Sequence, residues 1–292
     1  MNNIKVFNEN IEVGGLQIPA DFKYISSNFI NSFTSLSYFE RVNAVCSLLA
    51  DTTVSLTDFN ALKGVEYPAS IMPISENFAV VELFDGENAN YLDYVISGNN
   101  SLLKISSIIA LILSSYVDLI ELNLINYGDK INVAISDTDG LFVLSTYIAM
   151  KIGVPINAVI IGSTTLKNDI KNGIFTYNLD ATDVADCLYN FFYDYDYILD
   201  SLSAKSILAS EFYNEDNGEN FTLSFAYFSP YYDSVNLVEI ITGKKIANEN
   251  KACQILYEET AIDMPTTVNK ANFLNYNNLK LPITIDNLLK FM

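Results

Sequence analysis

Apolar positions along this chain follow two rhythms, a helical spacing near 3.6 residues and short unbroken or alternating runs, and their order sets the expected architecture. Ile4-Lys5-Val6-Phe7 is strand-like, and a Gly14-Gly15 turn precedes Leu16-Gln17-Ile18-Pro19. Ser37-Tyr38-Phe39-Glu40 fits Ser-x-x-Glu, a capping box in which serine and glutamate satisfy the free amides of a first helical turn. Val42, Val45, Leu48 and Leu49 then recur at helical spacing. A second helix start is expected at Ser55-Leu56-Thr57-Asp58, and Tyr67-Pro68 ends this small helical N-terminal unit. The expected division is residues 1–75 for that unit and 76–292 for the remainder.

Phe78-Ala79-Val80-Val81-Glu82-Leu83-Phe84 reads as a strand, 102–123 as a long helix and Ile131-Asn132-Val133-Ala134-Ile135 as a buried strand. Gly140 precedes a helix over about 141–151, stopped by Gly153 and Pro155, and Ala158-Val159-Ile160-Ile161 is another apolar strand. Strand, helix and strand within about thirty residues form a right-handed parallel unit. The fold class is therefore α/β, with a mostly parallel sheet. Further on, Asp180-Ala181-Thr182-Asp183 can begin a helix through Cys187, Leu188 and Phe192. Residues 214–220 read as a polar, acidic loop, and Phe221-Thr222-Leu223-Ser224-Phe225-Ala226-Tyr227 alternates as a strand. Tyr193-Asp194-Tyr195-Asp196-Tyr197 reads as an amphipathic element with a wet acidic edge, its rival being a cation or ligand site.

Composition removes several functions. The 292 residues, 50% of them hydrophobic, suffice for a substantial core, and the net charge of -19 repels nucleic acid and anionic membrane surfaces. Cys46, Cys187 and Cys253 are scattered and form no Cys-x-x-Cys pair, so buried free thiols are expected rather than disulfides or a zinc site. No histidine is present, which removes the commonest general base, the Ser-His and Cys-His dyads and the usual imidazole ligands. The start of the chain shows no signal-peptide pattern, so a cytoplasmic location is the expectation. The most apolar run, 105–117, is interrupted by four serines and is shorter than the roughly 20 residues a membrane span needs, which makes it a buried helix.

Several blocks, in order, resemble threonine synthase, a fold-type II pyridoxal-phosphate family related to the tryptophan synthase β fold. Gly14-Gly15-Leu16-Gln17-Ile18-Pro19 resembles its Gly-Gly-Leu-x-Val-Pro, and Leu36-Ser37-Tyr38 its Leu-Ser-Tyr. Glu82-Leu83-Phe84-Asp85-Gly86 is similar to its Glu-Leu-Phe-His-Gly, which leads into Phe-Lys-Asp, here Tyr91-Leu92-Asp93. Asn100-Ser101-Leu102-Leu103 resembles its Asn-Ser-Ile-Asn helix. Val133-Ala134-Ile135-Ser136-Asp137-Thr138-Asp139-Gly140 stands in the place of its Val-Pro-Ser-Gly-Asn-Phe-Gly-Asn phosphate loop. Ala149-Met150-Lys151-Ile152-Gly153-Val154-Pro155-Ile156 resembles Ala-Lys-Lys-Met-Gly-Leu-Pro-Ile, Asn172-Gly173-Ile174-Phe175 resembles Thr-Gly-x-Tyr, and Ile262-Asp263-Met264-Pro265-Thr266-Thr267-Val268 can be laid on Leu-Asp-Pro-His-Thr-Ala-Val. The resemblance implies a truncated threonine-synthase-like core behind a helical N-terminal unit.

It also implies a damaged site. The lysine that would hold pyridoxal phosphate as an imine is Leu92, and a hydrocarbon side chain can neither form the imine nor shuttle protons. In the phosphate loop Asp137 and Asp139 replace the family's Gly and Phe. At about 4 Å each carboxylate would oppose a phosphate by on the order of 1–4 kcal/mol. Ser136, Asp137, Thr138, Asp139 and Gly140 are thus a degenerate cofactor loop; helix N-capping is the plain reading of these residues and a divalent-cation site its rival. Thr266 matches the family's partner of the pyridine nitrogen and can survive as a core or turn residue. About forty residues separate Asp93 from Ser136, where the family threads a whole lobe with a Ser-Gly-Asp-Thr-Gly loop, and no such loop is found.

The resulting expectation is a catalytically inactive, threonine-synthase-like protein without pyridoxal phosphate or another cofactor and without a bound metal, kept as a binding, regulatory or interaction protein with a protein or small-molecule partner. The alternatives are carboxylate or Mg²⁺ chemistry through Asp85, Asp93, Asp137 and Asp139, residual lyase-type activity, or an interaction protein whose acidic surface meets a basic partner.

Overall fold

The computed structural model describes residues 4–7, 10–13, 16–19, 23–50, 69–83, 101–136 and 140–261, with side chains from residue 23 onward. Three short strands come first, β1 (Ile4–Phe7), β2 (Asn10–Val13) and β3 (Leu16–Pro19), paired antiparallel in that order. Helices α1 (Ser27–Ser32) and α2 (Tyr38–Ala50) follow. The N-terminal unit, read from the sequence as helical, therefore opens on a small sheet. The helix start expected at Ser55 and the Tyr67-Pro68 boundary lie outside the described residues.

The capping box forms as expected. Ser37 N–H donates to Glu40 Oε2 at 2.8 Å and Glu40 N–H points back to Ser37 Oγ at 3.4 Å, an arrangement that contributes about 1 kcal/mol to a helix end. Val42, Val45 and Cys46 on α2 are fully buried. Arg41, the single arginine of the chain, joins α2 to the long helix α3 (Ser101–Glu121): its Nη1 donates to Ser114 Oγ at 2.9 Å and its Nε to the Leu36 carbonyl at 2.9 Å.

A seven-stranded sheet forms the centre. Its strands are β4 (Ser70–Ser75), β5 (Phe78–Glu82), β6 (Ile131–Ser136), β7 (Ile156–Ser163), β8 (Asp169–Lys171), β9 (Ile174–Asn178) and β10 (Thr222–Ala226), in the spatial order β4-β5-β10-β6-β7-β9-β8. The five middle strands run parallel, and β4 and β8 close the edges antiparallel. Pro73 sits in β4 beside a register shift, an edge location where its missing N–H leaves no ladder bond unmade. Asn172 and Gly173, at φ +53° and +86°, make the tight β8–β9 turn with the dihedrals that the Asn-Gly pair favours.

Alternation along each strand sends its side chains to two layers. Val133, Ile135, Val159, Ile161, Leu223 and Phe225 pack with α2, α3 and α4 (Gly140–Ile152). Val80, Ala134, Ile160 and Ala226 face α5 (Ala181–Tyr195), α6 (Ser201–Asn217), α7 (Ser234–Thr242) and α8 (Glu249–Thr260). α4 ends where Gly153 takes φ +101°, so the glycine stop is observed. α6 lies close on the sheet because β7 carries Gly162 beneath it: an added Cβ there would stand 2.0 Å from the Lys205 carbonyl oxygen. Small and hydroxyl residues line this contact, with Ser206 Oγ 2.7 Å from Ser224 Oγ.

One sequence expectation holds and one changes. The run 105–117 belongs, as expected, to a long buried helix: its 21 residues are long and apolar enough to cross a membrane, yet 83% of the apolar stretch is buried in the protein. The loop expected at 214–220 begins only after Asn217, because the segment continues α6 to a Gly218 stop at φ +82°. The sheet order itself was not read from the sequence: β10 inserts between β5 and β6.

Candidate functional site

In open α/β sheets ligands bind beyond the C-terminal ends of the strands, where neighbouring strands continue to opposite faces. Here that place is fixed by β6 and β10, which are adjacent and parallel. β6 leads into α4 on one face, whereas β10 leads through a 3-10 turn, Pro230–Asp233, into α7 on the other. β5 ends beside β10, with Leu83 N–H donating to the Ala226 carbonyl at 2.9 Å. The end of β5 is the Glu82-Leu83 that opens the motif leading to Leu92.

The two described ends of the segment read from sequence as a degenerate phosphate loop, Ser136 and Gly140, lie at this switch point. Ser136 is the last residue of β6 and is fully buried, and Gly140 is the buried first residue of α4, whose free N-terminal amides point back towards the strand end. Asp137, Thr138 and Asp139 lie outside the described residues, as do Asp85, Leu92, Asp93 and Thr266. Of the residues singled out from sequence, only Ser136 and Gly140 are placed here.

What surrounds them is aromatic. Phe142, in the first turn of α4, meets Tyr227 at 5.3 Å between ring centroids and Phe225 at 5.3 Å, both edge to face. Phe142, Phe225 and Tyr227 are at most 2% exposed. Phe228 follows at 8% and stacks edge to face on Tyr232. The described lining on this side of the crevice is filled by rings.

Several polar groups nearby are tied to the backbone or to one another. Asp200, 4% exposed, caps α6 by accepting from Leu202 N–H at 2.8 Å and Ser203 N–H at 3.0 Å, with Ser203 Oγ as a further donor. Burial pushes its pKa up, while the bonds from Ser203, Leu202 and the Phe228 amide pull it down. The Phe228 amide lies just past β10, so Asp200 fastens the start of α6 to the end of that strand. Tyr197 O–H donates to Glu82 Oε1 at 2.6 Å, fixing the end of β5 in the same way. Ser163 Oγ, at the end of β7, accepts from Thr165 N–H at 3.0 Å and Leu166 N–H at 2.8 Å. The sequence set Glu82 in a motif and Tyr197 in an acidic aromatic run but did not pair them, and Asp200 was not singled out, although the Asp200-Ser201-Leu202-Ser203 cap signature was available.

Other sequence expectations also find their places. Cys46 and Cys187 are buried free thiols and Cys253 is half-buried. Burial pushes the Cys46 thiol up to about 11 and the Cys187 thiol up to about 12. Tyr193, Asp194 and Tyr195 are exposed at the end of α5, as an acidic, wet edge should be, and Asp196 takes φ +52° at the cap. Among the described residues no three acidic or thiol groups converge as a metal site requires. Lys104, in the first turn of α3, is the lysine next after Leu92 in the sequence, and burial lowers its pKa.

No known family pattern matches the sequence, and no curated protein matches it. Solved structures do. Threonine synthase from Escherichia coli superposes with a TM-score of 0.59 at 9% identity, over 90% of this chain and 93% of that one. A threonine synthase from Brucella melitensis, solved with PLP bound, gives 0.53 at 10% identity, over 91% and 94%. At these identities the likeness is one of fold: the chain has a mixed α/β, threonine-synthase-like architecture around a mostly parallel sheet.

Proposed function

We propose that this protein is a catalytically inactive relative of the threonine synthases, a binding or regulatory protein that does not use pyridoxal phosphate. The observation that carries this reading is Leu92, in the place of the lysine that would capture the aldehyde. The residues present do not fit the cofactor. A hydrocarbon stands where an amine is needed, and Asp137 and Asp139 would oppose a phosphate. The rings of Phe142 and Tyr227 at the strand switch point support the same reading, since they fill space beside the loop with apolar surface. The short interval between Asp93 and Ser136 fits the loss of the family's cofactor lobe. Fold and chemistry are separable, and a scaffold can outlast its reaction.

The test is incubation with pyridoxal phosphate, borohydride reduction and peptide mass mapping. No stoichiometric adduct is expected on any lysine. A single, saturable adduct on one peptide, Lys104 included, would overturn the proposal.

A further inference from the structure

The two edges of the central sheet differ. β4 carries Pro73 beside a register shift, features that discourage a further strand from pairing there. β8 has neither: Asp169, Ile170 and Lys171 pair with Thr176, Phe175 and Ile174 in unbroken register, and among the described residues no strand lies beyond it. Because Lys171 and Ile174 close the two-residue Asn172-Gly173 turn, the alternation of an antiparallel ladder turns the amide and carbonyl of Ile170 away from β9. That amide donates to Asp169 Oδ1 of its own strand, at 2.9 Å.

The Ile170 side chain is 71% exposed. It lies on the α6 face of the sheet beside half-buried Phe175, whose ring meets Tyr213 edge to face at 4.8 Å, so apolar surface runs out to the edge. An exposed isoleucine alone is ordinary; the charges that flank this one single it out. Laid antiparallel on itself about Ile170, the strand sets Asp169 opposite Lys171 at both ends, whereas laid parallel in register it sets like charges side by side. The edge is thus complementary to a copy of itself in one orientation, and a two-fold contact of that kind closes after two copies.

We propose that β8 pairs antiparallel with β8 of a second copy of this chain across a two-fold axis at Ile170, joining the two seven-stranded sheets into one. The Ile170 amides and carbonyls exchange two hydrogen bonds, and Asp169 gives up its local bond for the Lys171 ammonium of the other copy. On the α6 face the Phe175 and Ile170 side chains of both copies form one apolar row. The contact is small beside the roughly 1,200–2,000 Å² of a stable interface, and each copy carries a charge of -19. The dimer is therefore weak and concentration-dependent. It is independent of whether the chain binds pyridoxal phosphate.

The experiment is sedimentation of the full chain over a range of concentrations at an ionic strength of about 0.15 M, where repulsion between two acidic chains is screened. A monomer–dimer equilibrium is expected, weakened about tenfold or more in Asp169→Lys and in Lys171→Asp, each of which sets like charges opposite each other. An equimolar mixture of these two variants restores every opposite-charge pair and is expected to regain the dimer as a heterodimer. Ile170→Thr keeps the charges and the strand preference but shortens the apolar row, and is expected to weaken association as well. Thermal unfolding of each variant checks that the fold is retained. The proposal is overturned by a chain that stays monomeric to about 1 mM, by any single variant that associates as strongly as the unaltered chain, or by a mixture that associates no more strongly than its two components.

Discussion

Tyr197 reaches across 115 positions of sequence to donate its hydroxyl proton to Glu82 Oε1 at 2.6 Å. The bond holds the connector between α5 and α6 against the end of β5, where the chain departs towards Leu92. A hydroxyl-to-carboxylate bond of this kind is worth about 1.5–3 kcal/mol. Tyr197→Phe keeps the ring packed on Phe191 and removes only the proton donor. The expected result is a loss near that range in denaturant unfolding, with faster hydrogen exchange at residue 83.

Phe142 offers a sharper test of the packed crevice. Truncating this ring, 1% exposed between Phe225 and Tyr227, should cost about 3–5 kcal/mol. If the rings fill the ligand crevice, Phe142→Ala should also admit a small apolar molecule, read as a benzene-induced rise in melting temperature that the unaltered protein lacks.

Gly162 tests the contact of α6 with the sheet. Because a Cβ would fall 2.0 Å from backbone at Lys205, Gly162→Ala must displace the helix. The expected penalty is above about 3 kcal/mol, at the severe end of single substitutions, measured by chemical denaturation.

Arg41 ties α2 to α3 through directional bonds and also lies over the Phe33 ring, 5.7 Å from its centroid. Arg41→Lys keeps the charge but cannot reproduce the fork that reaches both Leu36 and Ser114. It is expected to lose about 1–3 kcal/mol, nearly as much as Arg41→Met.

The buried thiols set a pH dependence with a definite sign. Cys46 and Cys187 rise from an ordinary 9.0 to about 11 and about 12 in the fold. Below pH 9 both states keep their protons and the contribution is fully present. Above it the unfolded chain ionises first, so stability falls as pH rises from 9 through 11–12. Denaturant midpoints measured between pH 8 and 11 should decline, and less steeply in Cys187→Ala after allowance for its cavity. At pH 8 an alkylating reagent should modify half-buried Cys253 before either of the others.

How far the sequence reached depended on the kind of signal. α2 was legible because Ser37 and Glu40 make a local cap and Val42 and Val45 keep helical time. β6, α4 and β7 were legible because unbroken apolar runs ended at Gly153 and Pro155. α6 was not: its sheet-facing side carries Ser203, Ser206, Ala209 and Ser210, small residues that give no hydrophobic rhythm, and they are buried because Gly162 lets the helix approach. β4 was missed for a related reason, since an edge strand containing Pro73 shows little apolar alternation.

By itself, the sequence determined the chemistry available: no histidine, a leucine at position 92, carboxylates at 137 and 139, and an excess of negative charge. These are properties of side chains wherever they lie. Only the tertiary structure decided where the pieces meet, because that depends on strand order. The insertion of β10 between β5 and β6 sets the ends of these strands side by side near Phe142 and Tyr227, and the packing of α5 on α6 gathers Asp183, Asp194 and Glu211 around one groove. Neither is written in local pattern: strand pairing and helix packing are settled by which distant surfaces bury each other best.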